Sequence, residues 1–207
     1  MALLEVCVDS LASFDAAQAG GAERIELCSR LDLGGLSPTD ELFAKAHARA
    51  RMPIFSMVRP RGGDFVYSER ELATMHAELT ARRERADGFV FGVLTREGRV
   101  DLEATRSLVL AARPKPVTFH RAFDLVCDPF AELEVLIELG VERVLTSAGA
   151  PTAFEGRARL AELVRIARGR IVVLPGGGVR AAHATELVRV TGARELHGSV
   201  PFDARAL

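Results

Sequence analysis

Lysine is nearly missing from this sequence. Of 27 basic residues among 207, only Lys45 and Lys115 are lysine. Tryptophan is absent and tyrosine occurs once, as Tyr67. Cysteine is scarce: Cys7, Cys28 and Cys127 are an odd number and form no CxxC pair. That excludes a disulfide scaffold or a structural zinc finger and points to a reducing, cytoplasmic setting. No apolar run approaches the roughly 20 residues that span a bilayer. The stretch from Met1 to Asp9 has no basic leader and is interrupted by Glu5, so it does not read as a signal peptide. The formal net charge is −1, without a basic stripe or an acidic tail. No nucleic-acid or membrane partner is therefore expected. Low-complexity tracts are also absent, and disorder is not expected. A chain of 207 residues holds one buried core but not two ordinary ones, so residues 1–207 are expected to form a single domain.

What is present is alternation. Short apolar, β-like runs occur at Leu3–Val8, Arg24–Leu27, Ile54–Val58, Gly88–Phe91, Val117–Phe119, Arg143–Thr146, Ile171–Leu174 and Glu195–His197. The mean repeat is about 27 residues, near the size of a compact βα unit. Amphipathic segments lie between them. Leu133, Leu136 and Ile137 with a closing Gly140, and Leu160, Leu163, Val164 and Ala167, show helical spacing. Ser37-Pro38 reads as a helix N-cap and first turn, and Ser68 with Glu71 as a capping box. Glycine or alanine precedes alternate strands, as in Gly140-Val141-Glu142-Arg143 and Gly192-Ala193-Arg194-Glu195. Either a βαβα unit is used four times, or each helix simply ends on a glycine cap. The fold class is α/β, a (β/α)₈ TIM barrel. Only ten residues follow His197, so the eighth helix is expected to be short or missing. Truncation, or cover from a second subunit at strands 8 and 1, would account for it.

Strand side chains alternate between faces. Leu4, Val6 and Val8 should meet the helices, which turns Glu5 and Cys7 into the barrel. Likewise Ile25 and Leu27 face out, while Arg24, Glu26 and Cys28 face in. The same logic points Met57, Arg59, Thr118, His120, Thr146 and His197 inward. Buried carboxylates need cationic partners, and Arg59, Arg61 and Arg121 are the candidates. A fully satisfied polar plug is one outcome; a site at the strand C-termini is the other.

Three loops could carry chemistry. Arg59-Pro60-Arg61-Gly62-Gly63-Asp64 suits an anion clamp or a loop tied by an Arg–Asp pair. His120-Arg121-Ala122-Phe123-Asp124 offers a proton carrier, an anion contact and an orienting carboxylate, or a local salt-bridged turn. Gly176, Gly177 and Gly178 follow strand 7, where barrels often hold a phosphate on backbone N–H groups, though a tight turn explains them too. Neither lysine sits at a strand C-terminus, which disfavours Schiff-base chemistry. Cys7 and Cys28 suit a soft ion such as Cu(I), with Met57 as a third donor, or are small buried hydrophobes.

Glu5-Val6-Cys7-Val8-Asp9-Ser10, Arg24-Ile25-Glu26-Leu27-Cys28-Ser29, Arg59-Pro60-Arg61-Gly62-Gly63-Asp64-Phe65, Thr118-Phe119-His120-Arg121-Ala122-Phe123-Asp124, Leu174-Pro175-Gly176-Gly177-Gly178 and Leu196-His197-Gly198-Ser199 together resemble the CutC copper homeostasis family. The likeness runs in order from residue 3 to about residue 200. It implies a cytoplasmic (β/α)₈ barrel, a homo-oligomer (a dimer is expected), and copper binding with Cys7 and Cys28 at the ligand positions. The sequence departs from the family pattern at Ser147-Ala148-Gly149, where Ser-Gly-Gly is usual, and a looser loop is expected there. Two functions are carried forward. One is a copper-binding homeostasis protein. The other is a barrel enzyme acting on a small anionic or phosphorylated metabolite. In the enzyme, Glu5, Glu26, His120 and His197 would do acid–base work or hold a divalent metal, and Arg59, Arg61, Arg121 and Gly176–Gly178 would hold the anion.

Overall fold

Eight parallel strands form the inner wall in the computed structural model, which describes residues 2–199. They are β1 (Leu3–Val8), β2 (Arg24–Leu27), β3 (Ile54–Met57), β4 (Gly88–Phe91), β5 (Val117–Phe119), β6 (Arg143–Thr146), β7 (Val172–Pro175) and β8 (Glu195–Ser199). Seven helices alternate with them: α1 (Leu11–Ala19), α2 (Asp40–His47), α3 (Glu69–Arg82), α4 (Leu102–Ala112), α5 (Pro129–Glu138), α6 (Arg157–Ala167) and α7 (Ala181–Thr191). The ladder runs β7-β6-β5-β4-β3-β2-β1-β8, so β8 is joined to β1, and among the described residues the open seam lies between β7 and β8. The eighth helix, expected to be short or missing, falls on residues 200–207, outside the described residues.

The alternation of strand faces produces two packing layers. Val6, Val8, Ile25 and Leu27 join Phe14, Phe43 and Leu79 between strands and helices. Burying each such side chain contributes about 1.5–3 kcal/mol. A second, smaller cluster of Cys7, Cys28, Phe55, Met57 and Val90 fills the barrel interior. Phe55 fits there because Gly88 on the neighbouring strand has no side chain; a Cβ at Gly88 would lie 2.5 Å from the Phe55 ring.

The helix starts follow from local chemistry. Ser68 caps α3 with Glu71 closing the capping box, as expected. Asp128 caps α5 with Pro129 behind it. The expected start at Ser37-Pro38 is corrected: α2 begins at Asp40, and Thr39 is the cap that accepts the Leu42 N–H. The Ser37 hydroxyl is engaged elsewhere, donating to Glu78 and accepting the Arg59 N–H.

Candidate functional site

Strand register decides which inward side chains meet. Between β1 and β2, Glu5 stands opposite Arg24 and Cys7 opposite Glu26. The two Glu-x-Cys segments are thus offset by two residues, and the like-charged carboxylates are not cross-strand partners. Between β1 and β8, Glu5 stands opposite His197. Cys28 follows the end of β2 and turns back to Cys7, with Sγ–Sγ 3.3 Å and a further Cys28 Sγ contact of 3.4 Å to the Val8 carbonyl.

The expected cationic partners of the carboxylates are corrected. Arg24 holds Glu5 through its Nε and holds Glu195 through Nη2, and Arg143 donates to the same Glu195 oxygen at 3.1 Å. Both guanidinium groups lie over the Phe55 ring, at 5.0 and 5.2 Å. His197 Nδ1 lies 2.7 Å from the other Glu5 oxygen. Arg24 was legible as inward-facing, but its pairing depends on the β1–β2 offset. Arg61 points away from this assembly, to Glu71, Asp64 and the Val66 carbonyl. Arg59 donates to the carbonyls of Leu33, Gly35 and Gly63.

Above the paired floor lies a cavity of about 220 Å³ at the C-terminal mouth of the strands. Cys7, Glu26, His120 and His197 reach it from four strands or strand ends, and Met57, Arg59, Arg121, Gly177 and Gly178 are further expected residues on its wall. Glu5, Cys28, Gly176 and Arg61 do not line it. Gly176 has a packing reason: a Cβ there would lie 2.3 Å from Leu145, and its N–H already donates to the Thr146 carbonyl. That leaves Gly176 no free N–H for an anion. Gly177, at φ +98°, lets the Arg121 guanidinium lie 3.1 Å from where its Cβ would be. Neither lysine is at the mouth: Lys45 pairs with Glu41 on α2, and Lys115 precedes β5.

Charge and burial divide these groups. Burial raises the Glu5 pKa, yet the hydrogen bond and charge of His197, with Arg24, hold it at about 2. Burial pushes Glu26 up from the ordinary carboxylate range, and its Oε2 has no hydrogen-bond partner among the described residues. His197 is raised: burial opposes its charge, but Glu26 and Glu5 outweigh it. His120 falls to about 3 through burial and the charge of Arg59. Its Nδ1 accepts the Ala122 N–H, which assigns the proton to Nε2, and that nitrogen is unpartnered among the described residues. The contact with Cys28, burial and the neighbouring Glu26 raise the Cys7 thiol well above its ordinary value.

The loop after β6 is not loose, contrary to the expectation from Ser147-Ala148-Gly149. The Asp124 carboxylate accepts from Thr146 Oγ1, from the Ser147 N–H and hydroxyl, and from the Gly149 N–H. Ala148 itself is held at φ +58°, a left-handed conformation that a glycine adopts without strain.

The CutC family model matches residues 2–201. The chain belongs to the CutC family. The human copper homeostasis protein cutC homolog is 49% identical over 198 residues, which is 95% of this chain and 72% of that protein. A family protein CutC from Caulobacter vibrioides is likewise 49% identical, over 95% of this chain and 80% of its own length. Among solved structures, a CutC from Streptococcus agalactiae superposes with a TM-score of 0.91 at 31% identity, covering 96% of this chain and 98% of that one. An aldolase, QR15, superposes at 0.69 with 15% identity and shares the barrel fold alone. Copper homeostasis is thus the function named for the relatives, and three of the residues at the barrel mouth, Glu26, Arg59 and His120, each keep a buried polar atom without a partner among the described residues.

Proposed function

We propose that this CutC-family chain binds Cu(I), with the thiolates of Cys7 and Cys28 as its ligands. The carrying observation is the 3.3 Å approach of two buried sulfurs that are free thiols and not a disulfide. Thiolate and thioether sulfur select Cu(I) over harder ions. Met57 packs in the same buried cluster as Cys7 and Cys28, so its thioether is the candidate third soft donor. Two facing unbridged thiols also support the cytoplasmic location; the homodimer remains what the family likeness implies. When bound, copper supplies a soft Lewis-acid centre. The chain's part is to give up thiol protons and keep water out. The test is an anaerobic Cu(I) titration against a competing chelator, comparing wild type with the Cys7→Ser/Cys28→Ser double variant, with circular dichroism to confirm folding. A loss of at least about 100-fold is expected, beyond what outer contacts alone cost. Unchanged affinity contradicts the reading.

A small anion at the same mouth is the second reading. It is favoured by three donors without acceptors among the described residues: His120 Nε2–H and the N–H groups of Gly177 and Gly178, next to Arg121. Phosphate-dependent chemical-shift changes confined to these residues would support it; their absence at millimolar phosphate would count against it.

A further inference from the structure

Glu26 is the group that copper binding by the two cysteines leaves unused. It is 2% exposed, faces the cavity, and keeps one oxygen without a partner among the described residues. An uncompensated buried carboxylate is costly unless something compensates it. Around it, one atom each of Cys7, Glu26 and His197 lie within 4.8 Å of one another, and all three residues are buried.

We infer that Cys7 Sγ, a Glu26 oxygen and His197 Nε2 form a site for a divalent cation of the zinc class, with an open coordination position toward the cavity. The donor set is a borderline mixture of sulfur, oxygen and nitrogen, which suits Zn²⁺ or Co²⁺. Three protein ligands with a fourth position open is the arrangement of a catalytic, not a structural, zinc site. Tetrahedral neighbours of such an ion stand about 3.3–3.8 Å apart, given zinc bonds of roughly 2.0–2.3 Å. The three ligand atoms, within 4.8 Å of one another, would draw together by up to about 1–1.5 Å to reach that spacing.

Three further features agree. First, His197 already carries the outer contact such a ligand needs. Its Nδ1 is held 2.7 Å from Glu5, which fixes the ring and leaves Nε2 for the ion. Second, Glu5 is itself anchored by Arg24, so the supporting carboxylate is not available as a competing ligand. Third, charge balances. A Cys7 thiolate, whose proton leaves to solvent, and the Glu26 carboxylate neutralise a dication, with His197 neutral. Below them, Arg24 and Arg143 balance Glu5 and Glu195. The open position faces a wall with Arg59 and Arg121, so a small oxygen-donor anion or water is the class of ligand that would complete the sphere.

The inference does not rest on the copper reading. Cys28 belongs only to the copper pair, Glu26 and His197 only to the divalent site, and Cys7 to both, so the two ions should exclude each other. The test is a Co²⁺ titration of the reduced, metal-free chain, read by tetrahedral ligand-field bands and thiolate-to-cobalt charge transfer, with Zn²⁺ as competitor. Wild type and Cys28→Ser should show both signals. Cys7→Ser should lose the charge-transfer band. Glu26→Gln, nearly isosteric at an oxygen without a partner, should lose cobalt while keeping Cu(I). Glu5→Gln should weaken cobalt binding by roughly 10–100-fold, the usual cost of losing an outer carboxylate. Anomalous scattering from a zinc-soaked wild-type crystal should place the ion within bonding distance of all three ligands; this readout needs no variant to fold. The inference is overturned if wild type binds no cobalt or zinc, if Glu26→Gln binds cobalt like wild type, or if Cys28→Ser loses cobalt as fully as Cys7→Ser.

Discussion

The floor and the mouth of this barrel contain similar residues and treat them in opposite ways. At the floor, Glu5 and Glu195 are each held by arginine, through Arg24 and Arg143, and His197 adds a second bond to Glu5; of this group only Arg143 Nη1 lacks a partner among the described residues. At the mouth, Glu26, His120 and Arg59 each keep a buried polar atom without a partner among the described residues. A satisfied buried charge holds strands in place, whereas an unsatisfied one facing a cavity marks a position that a ligand completes. The two are only a few residues apart along β1 and β2, so burial alone does not separate structure from function here. Partnership does.

Breaking the floor should have the largest effect. Arg24→Leu strands Glu5 with half of its compensation and should cost about 3–5 kcal/mol in urea unfolding, the range for removing one partner of a buried pair. Glu26→Gln, by contrast, should leave stability unchanged or raise it slightly in the metal-free chain. Equal losses in the two variants would erase the distinction between the regions.

Acid should separate the regions next. Glu5 has a depressed pKa of about 2, so its contribution is complete above the unfolded value of about 4.3 and is lost as pH falls from there toward 2. His120 is also depressed, to about 3, so its neutral burial destabilises the fold as pH falls below the unfolded value of about 6.5. His197 has the opposite sign: its raised pKa gives stability that is present below about 6.5 and lost as pH rises through the folded value. Between about pH 6.5 and 4.5 the loss should therefore come from His120, partly offset by Glu26, whose raised pKa favours the fold as pH falls. The variant His120→Gln should flatten that part of a stability–pH curve and leave the lower part intact.

The smallest effect lies in the loop after β6. Ala148→Gly should relieve left-handed strain of roughly 1–2 kcal/mol, offset by the greater freedom of glycine in the unfolded chain. A net gain of about 0.5–1 kcal/mol in thermal or urea unfolding is expected, with no change in metal binding.

Nearly all of the barrel was legible in the sequence, because eight short β-like runs alternate with longer segments, several of them with helical spacing or caps, although the start of α2 was displaced from Ser37-Pro38 to Asp40. Face assignment was legible too: Glu5, Cys7, Arg24 and Glu26 read inward from alternation alone. What alternation does not contain is the offset between neighbouring strands. That offset sets Cys7 beside Glu26 and Glu5 beside Arg24. Loop geometry was equally hidden. Arg59 and Arg61 look like one clamp along the chain, yet Arg59 lines the cavity while Arg61 pairs with Glu71 and Asp64. The glycine run at residues 176–178 likewise divides into one packing residue and two at the cavity.

Cys7 is the residue common to both metal assignments at the mouth, so a single variant tests the central claim most directly. In an anaerobic competitive titration, Cys7→Ser, folded by circular dichroism, should bind Cu(I) at least about 100-fold more weakly than wild type. Retention of wild-type Cu(I) affinity by Cys7→Ser would contradict the assignment of the barrel mouth as a metal site.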